Sequence, residues 1–279
     1  MICDLHIHSI YSDGTCSPEE IIDLAIKHKI SAIALTDHNA IDGLPHLISA
    51  SSGKNIDIVT GTEFSVDYNG KELHLLALFI KPEFFNKISD LMKGWIDEKE
   101  QSNINLVKAL VQAGFDISYD EIKAATPNGK INRAHVATAM LKKGYVTSVE
   151  EAFKTYLSKD GVYYKEPHRT DVFEMLDFIT SIGAVSVLAH PFLNLSKDEL
   201  QIFLPLAKQR GLIGMECYYS LYDTETTSAS LYLADKFQLL KSGGSDFHGL
   251  RKPDIDLGVG KGNLKVPYEW YLELKKMAK

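Results

Sequence analysis

Short apolar strands alternate with amphipathic helices along much of the chain, and this alternation restricts the fold more than any other feature. The segments 4–9, 32–35 and 57–59 have the composition of strands. A helix start with Ser17 as N-cap and Pro18 at the first helical position follows the first segment, and a second helix is expected over 41–52. Strands and helices in this order predict a parallel α/β arrangement.

The alternation stops near Pro82 and returns after Lys165. Between them, helical spacing recurs near 88–111, 131–143 and 148–157, without a strand pattern. Apolar strands at 184–188, 212–216 and 239–240 then alternate with helices near 170–182, 196–209, 227–237 and 267–278. We therefore predict an α/β barrel formed by 1–81 and 166–279, with a helical insertion, 82–165, that caps its mouth.

A β-hairpin is expected just before the insertion. The segments 64–68 and 73–80 flank Asn69–Gly70, a pair that favours a type I′ turn.

Imidazoles and carboxylates recur at one kind of place, the carboxyl ends of the predicted strands. These residues are His6, His8, His38, Glu63, His74, His190, Glu216, Asp246 and His248. In a parallel barrel the loops that follow the strands converge at that end and carry the chemistry. A single buried histidine is more often a core residue than a ligand, but this recurrence on separate strands indicates one shared site.

Strand 4–9 shows how ambiguous each motif is by itself. With a period of two, His6 and His8 share a face with Asp4, and the two imidazoles can reach one metal ion or two adjacent ones. An amphipathic strand that carries two histidines by chance fits that stretch equally well. The other strand ends decide between the two interpretations.

A cluster of imidazoles and carboxylates without thiolates suits zinc, manganese or iron. Because the candidates outnumber the ligands of one ion, we expect a multinuclear centre bridged by Glu63 or Asp246. Such a centre makes hydroxide from bound water at neutral pH and stabilises both ends of an in-line displacement at phosphorus.

Composition limits the partners of the protein. The net charge of −7 and the pI near 5.8 argue against an extended nucleic-acid surface, but not against a small phosphorylated substrate. Three scattered cysteines, Cys3, Cys16 and Cys217, fit a reduced cytoplasm. No signal peptide or apolar run of transmembrane length is evident, so we expect a cytoplasmic protein that does not bind a membrane. The oligomeric state is left open.

Several motifs carry a resemblance to a known family. They are DLHIHS (4–9), YSDG (11–14), TDH (36–38), GTE (61–63), His74, AHP (189–191) and GSDFHG (244–249). Together they resemble the polymerase and histidinol phosphatase (PHP) family, whose fold is a distorted seven-stranded (β/α) barrel that holds two or three divalent metals. The resemblance implies metal ligation by His6, His8, Asp13, His38, Glu63, His74, His190, Asp246 and His248. All of these except His74 are also expected to act in catalysis.

The family pattern and the residue-based reasoning differ at two positions. Asp13 enters only through the resemblance, since by itself it is a turn residue. Glu216 is left out by the resemblance, and we slightly favour a structural role over ligand orientation or substrate contact. Asp37 is expected to accept a hydrogen bond that fixes a histidine tautomer. His28 and His46 are assigned no chemistry, and the role of His168 is left open.

The insertion resembles one branch of the family, bacterial phosphoesterases linked to tryptophan operons, through INRAH (131–135). That branch removes the 3′-phosphate of nucleoside 3′,5′-bisphosphates, and some members trim RNA from its 5′ end. Asn132 is expected to cap a helix that presents Arg133 and His135 to phosphate, with Lys165 as a weaker contact.

Three alternatives stay open. Histidinol-phosphate phosphatase is the other activity associated with the family, and a metal centre in a barrel also suits amidohydrolase chemistry. A non-catalytic binding module would show lost metal ligands.

Overall fold

A computed structural model describes residues 1–126, 131–158, 162–165 and 169–279, except for the side chain of Ile96. The chain forms two compact units. The barrel unit comprises 1–89 and 169–279, and the helical unit comprises 90–168. The domain division expected from the sequence stays a prediction, and each unit is described by itself.

The barrel unit is built on one eight-stranded sheet with the order β7-β6-β5-β4-β3-β2-β1-β8. The strands are β1 (Ile2–Ile7), β2 (Ala32–Leu35), β3 (Asp57–Tyr68), β4 (Lys71–Leu78), β5 (Val185–Leu188), β6 (Gly214–Tyr219), β7 (Leu240–Gly244) and β8 (Val266–Pro267). The residues after β7 return to β1, where Ile7 and Phe247 form a parallel bridge and Asp246 N–H donates to the carbonyl of His6 at 2.9 Å. The sheet is therefore nearly closed.

The predicted fold class is confirmed, with one difference in the number of strands. The resemblance implied seven, but β8 adds an eighth, which pairs antiparallel with β1 through Ile2 and Pro267. A two-residue strand that contains proline has no recognisable pattern in the sequence, and proline is tolerated there because β8 is an edge strand.

Helices follow most of the strands. The helices of the barrel unit are α1 (Pro18–Lys27), α2 (Leu44–Ala50), α7 (Val172–Ser181), α8 (Lys197–Gln209), α9 (Thr224–Phe237) and α10 (Tyr268–Lys275), and α3 (Phe85–Gln112) begins there. The predicted start of α1 is confirmed: Ser17 and Glu20 form a reciprocal capping box, and Pro18 begins the helix.

The predicted hairpin is also confirmed. Strands β3 and β4 pair antiparallel around Asn69 (φ 52°) and Gly70 (φ 78°), and positive φ at both positions is what a type I′ turn requires. Strand β4 also runs antiparallel to β5. The first residues of β4 therefore lie at the same end of the barrel as the carboxyl ends of the parallel strands.

Apolar side chains from both the sheet and α10 form the core of the barrel unit. This cluster includes Cys3, Leu5, Leu76, Val187 and Tyr271, all at most 1% exposed. Burial of such side chains contributes about 1.5–3 kcal/mol each, and it fixes the strands whose ends carry the polar residues.

The helical unit contains the rest of α3 together with α4 (Tyr119–Ala124), α5 (Arg133–Lys142) and α6 (Val149–Thr155). Its own core includes Leu106, Leu110, Val136, Met140 and Leu157, all fully buried. Every regular element in the described part of this unit is a helix, as the sequence predicted. Most of the turn expected at 126–129 lies outside the described residues.

Candidate metal centre

Nine side chains that were predicted as metal ligands lie together at one end of the barrel. They fall into four overlapping groups, and within each group the candidate ligand atoms lie within 4.8 Å of one another. The groups are His8, Asp13, His38 and His248; His6, Glu63 and His190; His6, His8 and Asp246; and His38, Glu63 and His74. Their proximity is a finding, whereas their ligation of metal stays a prediction.

The carboxylate of Glu63 is the centre of this arrangement. Its Oε2 lies 3.2 Å from Nε2 of both His6 and His8 and 3.0 Å from Nδ1 of His38. Its Oε1 lies 2.8 Å from Nδ1 of His74 and 3.1 Å from Nε2 of His190. A fully buried carboxylate surrounded by five imidazoles is suited to bridge adjacent cations. The bridging role predicted for Glu63 or Asp246 stays a prediction.

The site has a buried end and an open end. His6 and Glu63 are completely buried, whereas the side chain of Asp13 is 38% exposed and that of His38 is 29% exposed. At the open end Asp13 Oδ1 lies 3.2 Å from Nε2 of His248, whose ring stacks on that of His8. The centre therefore meets solvent on the side of Asp13 and His38.

The charges of these groups are strongly coupled. Burial lowers the pKa of His6, but Glu63 and Glu216 outweigh burial and raise that pKa well above its usual range. Burial likewise lowers the pKa of His74, and Glu63 with Glu72 raises it to about 10. Burial would raise the pKa of Glu63, but the surrounding imidazoles hold it well below its usual range. Protons and metal ions thus compete for the same imidazole nitrogens.

The donor set fits divalent metals. Within the described residues, Nδ1 of His8 and Nδ1 of His190 are buried without a hydrogen-bond partner. Nδ1 of His38 and Oε2 of Glu63 lie 3.0 Å apart but do not have the geometry of a hydrogen bond. Nε2 of His6 and Nε2 of His8 lie 3.0 Å apart. Buried polar atoms without partners are costly, and bound cations would satisfy them. Imidazole and carboxylate ligands suit manganese, iron or zinc, and four overlapping groups suit more than one ion.

Close backbone packing positions the ligands of β1 and β7. An added Cβ at Gly244 would lie 2.4 Å from the Cβ of His6, so glycine is required for this approach of the two strands. His190 (φ 27°, ψ 55°) and Asp246 (φ 56°) have left-handed backbones, which cost about 1–3 kcal/mol each and occur preferentially at functional sites.

Two placements expected from the sequence differ in the structure. Asp4 was expected on the face of His6 and His8, but its carboxylate accepts hydrogen bonds from the N–H groups of Ser245 (2.8 Å) and Gly258 (2.7 Å). A bulge between Asp4 and Ile7 breaks the alternation that placed Asp4 on the face of His6 and His8. His74 does not lie at the end of a parallel strand. It lies near the start of β4, paired with Ser65, and reaches the site because β4 is antiparallel.

Asp37 has a different function from the one expected. Its carboxylate accepts hydrogen bonds from Ser9 N–H (2.7 Å), Ser9 Oγ (2.7 Å) and Ser12 Oγ (2.6 Å) rather than from a histidine ring. These bonds fix the loop that carries Asp13. Asp37 therefore stabilises the backbone of the loop that holds the predicted ligand Asp13, and does not fix a histidine tautomer.

Three further residues contact the predicted ligands. Glu216, for which the sequence favoured a structural role over ligand orientation, lies 3.0 Å from Nδ1 of His6. Tyr219 and Lys252 were not identified, and both donate to Oδ2 of Asp246, at 2.8 and 2.6 Å. Of these three residues, only Glu216 could be recognised from the sequence, because it is a charged residue within an apolar strand.

The remaining histidines are placed as follows. His28 lies 3.0 Å from the carbonyl of Leu257, and His46 stacks on Tyr11. Among the described residues, neither belongs to a candidate ligand group. His168 lies outside the described residues.

The predicted phosphate contacts lie in the helical unit. Asn132 caps α5 as expected, in a reciprocal box in which Nδ1 of His135 accepts from Asn132 N–H at 3.1 Å. The Arg133 guanidinium donates to the carbonyl of Leu157 at 3.0 Å and lies 4.3 Å from the ring centre of Tyr164. The side chain of Lys165 is exposed. The substrate contacts of these residues stay predictions.

Comparison with known proteins gives consistent results. The profile of the PHP domain matches residues 4–166, more than half of the chain. A 5′-3′ exoribonuclease of Haemophilus influenzae is 29% identical over 247 residues, which cover 88% of this chain and 89% of the relative. A 3′,5′-nucleoside bisphosphate phosphatase of Chromobacterium violaceum is 26% identical, over 91% of this chain and 90% of the relative.

A solved structure agrees over the whole chain. The crystal structure of a candidate metal-dependent phosphoesterase from Bifidobacterium adolescentis is 26% identical and covers 99% of this chain and 96% of its own, with a TM-score of 0.76. Within the described residues, none of the helices has the length and apolar character needed to cross a membrane.

Proposed function

The chain belongs to the PHP domain family and is a metal-dependent phosphoesterase, and we propose that it removes the 3′-phosphate of nucleoside 3′,5′-bisphosphates. The observation that carries the proposal is the convergence of nine imidazole and carboxylate side chains in four overlapping groups. The similarity to the C. violaceum bisphosphate phosphatase over nine-tenths of both chains supports the substrate.

Divalent metals bound to these groups would supply Lewis acidity toward a phosphoryl group and lower the pKa of coordinated water. We propose that two or three ions are held, as manganese, iron or zinc. Glu63 would bridge them, His6, His8 and Asp246 would complete the buried end, and Asp13, His38 and His248 would complete the open end. The two groups that contain Glu63 would also use His190, together with His6, and His74, together with His38.

The protein's own groups supply the rest of the site. The scissile phosphate enters from the open end, where the exposed sides of Asp13 and His38 lie. Arg133 is the proposed contact of a second phosphate. The ring of Tyr164 and the carbonyl of Leu157 hold its guanidinium in one orientation, which lowers the entropic cost of phosphate binding. We assign His135 and Lys165 supporting roles at the same phosphate.

RNA trimming from the 5′ end is a second candidate, favoured by the similarity to the H. influenzae exoribonuclease. The two reactions are chemically related. A nucleoside 3′,5′-bisphosphate and a 5′-phosphorylated RNA both present a 5′-phosphate and an ester at the 3′-oxygen. With a net charge of −7, the chain is suited to a short 5′ end rather than to a long strand.

A substrate screen with Mn²⁺-loaded protein tests these proposals. We expect adenosine 3′,5′-bisphosphate to give phosphate and adenosine 5′-monophosphate, with a higher kcat/KM than 3′-AMP, 5′-AMP or histidinol phosphate. A 5′-phosphorylated RNA trinucleotide tests the second candidate. Turnover of 3′-AMP equal to that of the bisphosphate would contradict recognition of a second phosphate. Faster turnover of histidinol phosphate than of the bisphosphate would favour a histidinol-phosphate phosphatase.

The role of Arg133 is tested in the same screen. Arg133→Ala should raise KM for the bisphosphate about 10- to 100-fold, since a charge-assisted hydrogen bond contributes about 1.5–3 kcal/mol. Turnover of p-nitrophenyl phosphate, which has no second phosphate, should change little. Lys123→Ala is the matched control, because Lys123 is paired with Glu100 on the surface of the same unit. Equal losses on both substrates would contradict the assignment.

A further inference from the structure

Strand β6 contributes none of the nine predicted ligands, but its side chains contact the site. Glu216 is fully buried. A bulge shifts the register between Glu216 and Tyr218, so that Glu216 and Tyr219, three positions apart, both contact ligands. In an unbroken strand, residues separated by an odd number point to opposite faces. The bulge therefore turns both residues toward the metal centre.

Each oxygen of the Glu216 carboxylate binds a different ligand residue. Oε1 lies 3.0 Å from Nδ1 of His6, and Oε2 accepts the backbone N–H of His190 at 2.6 Å. His6 and His190 lie on β1 and just after β5, so Glu216 connects two distant segments of the barrel. Both ligands also lie against the bridging carboxylate Glu63.

The contact with His6 fixes the chemistry of its ring. A carboxylate oxygen beside Nδ1 requires a proton on that nitrogen, which leaves the lone pair of Nε2 available for a metal. Nε2 is the atom that lies 3.2 Å from Glu63 and 3.0 Å from Nε2 of His8. Glu216 thereby orients the ring and increases the basicity of the ligating nitrogen.

The contact with His190 acts on the backbone. His190 has φ 27° and ψ 55°, a conformation that residues with a side chain rarely adopt. The hydrogen bond from its N–H to a buried carboxylate stabilises this conformation and so directs Nε2 of His190 toward Glu63.

We propose that Glu216 is a positioning residue of the metal centre, which sets the Nδ1-protonated tautomer of His6 and the backbone of His190 at the same time. The proposal rests on the proposed metal ligation and does not depend on the identity of the substrate.

The variant Glu216→Gln tests this assignment. Both partners donate to Glu216, and glutamine has one acceptor oxygen, so its amide group would face a donor at one of the two contacts. We expect the dissociation constant for Mn²⁺, measured by chelator competition, to rise about 10- to 100-fold, with activity recovered at high Mn²⁺ concentration. Glu216→Asp, which keeps the charge but is too short to hold both partners, should also bind Mn²⁺ more weakly.

Ser242→Ala is the matched control. Ser242 is buried on β7 directly beside Glu216 and, among the described residues, its hydroxyl has no hydrogen-bond partner. A purely structural role of Glu216 would lower the melting temperature of Glu216→Gln without changing Mn²⁺ affinity. That result would overturn the proposal.

A second measurement needs no variant. In wild-type protein with ¹⁵N-labelled histidine and bound Zn²⁺, the spectrum of His6 should show a proton on Nδ1 and metal on Nε2. Zinc on Nδ1 of His6 would overturn the positioning role even if the Glu216 variants did not fold. If the wild-type protein bound no metal, the metal centre itself would be refuted. Wild-type binding that is unchanged in Glu216→Gln would refute only the positioning role.

Discussion

Replacement of Glu63 by glutamine is the perturbation whose consequences follow most directly from the geometry. The carboxylate of Glu63 lies within 3.2 Å of five imidazoles and belongs to two of the four candidate ligand groups. Glutamine preserves the volume but removes the charge and one of the two acceptor oxygens. The groups that contain Glu63 should therefore lose their metal, while the group of Asp13, His8, His38 and His248 should keep it.

The loss of metal affinity expected in Glu63→Gln can be calculated from the distances between Glu63 and its charged partners. Two unit charges about 3 Å apart interact by about 5 kcal/mol at an effective dielectric constant near 20. Desolvation offsets part of this, and the loss of one partner of a buried charge pair typically costs about 3–5 kcal/mol. Metal affinity at the Glu63 groups should then fall by roughly 10²- to 10⁴-fold.

The assay is metal content by mass spectrometry together with Mn²⁺ titration against a fluorescent chelator. Glu199→Gln is the control, since Glu199 is an exposed carboxylate that pairs with Lys71 outside the site. We expect Glu63→Gln to lose at least one equivalent of metal and most of the phosphoesterase activity, with an unchanged circular dichroism spectrum. Wild-type stoichiometry and affinity in Glu63→Gln would refute the bridging role.

Three further predictions follow from the same site. His8→Ala should lower metal occupancy and activity together while the fold survives, and full metal content with a native circular dichroism spectrum would contradict ligation by His8. Metal affinity should rise with pH up to about 10, because the pKa of His74 is raised to about 10 and a metal must displace that proton. Calorimetry in two buffers should show proton release, and pH-independent binding would contradict this competition. Gly244→Ala should lower the melting temperature and weaken metal binding, since the added Cβ would lie 2.4 Å from the Cβ of His6. A wild-type melting temperature and metal affinity in this variant would contradict the requirement for glycine between β1 and β7.

The pH dependence of the metal-free fold should have the opposite sign. A histidine whose pKa is raised on folding stabilises the folded state fully below its unfolded pKa of about 6.5. For His74 this contribution is lost as the pH rises through about 10. Metal binding and folding stability should therefore respond to alkaline pH in opposite directions.

Local patterns predicted the helix caps, the type I′ hairpin and the convergence of strand ends, because each depends on residues that are close in sequence. Ser17 and Glu20 show their capping role within four positions. The convergence followed from the rule that parallel strands end at the same side of a barrel.

The remaining features depend on contacts between distant residues. A bulge in β1 breaks the alternation that placed Asp4 on the face of His6 and His8, and the carboxylate of Asp4 accepts the N–H of Ser245. Glu216 is 210 positions from His6, and Lys252 reaches Asp246 from a loop with no periodic pattern. The periodicity of the sequence predicts which residues lie on a strand. The side chains that contact such a residue depend on how the barrel closes.

The most direct test of the metal centre is anomalous diffraction from crystals of the Mn²⁺-loaded protein. We predict two or three manganese peaks, each bound by one of the groups around Glu63, Asp246 and Asp13. One peak should lie on Nε2 of both His6 and His8. A single ion, or ions bound away from these groups, would contradict a multinuclear centre built from the nine side chains.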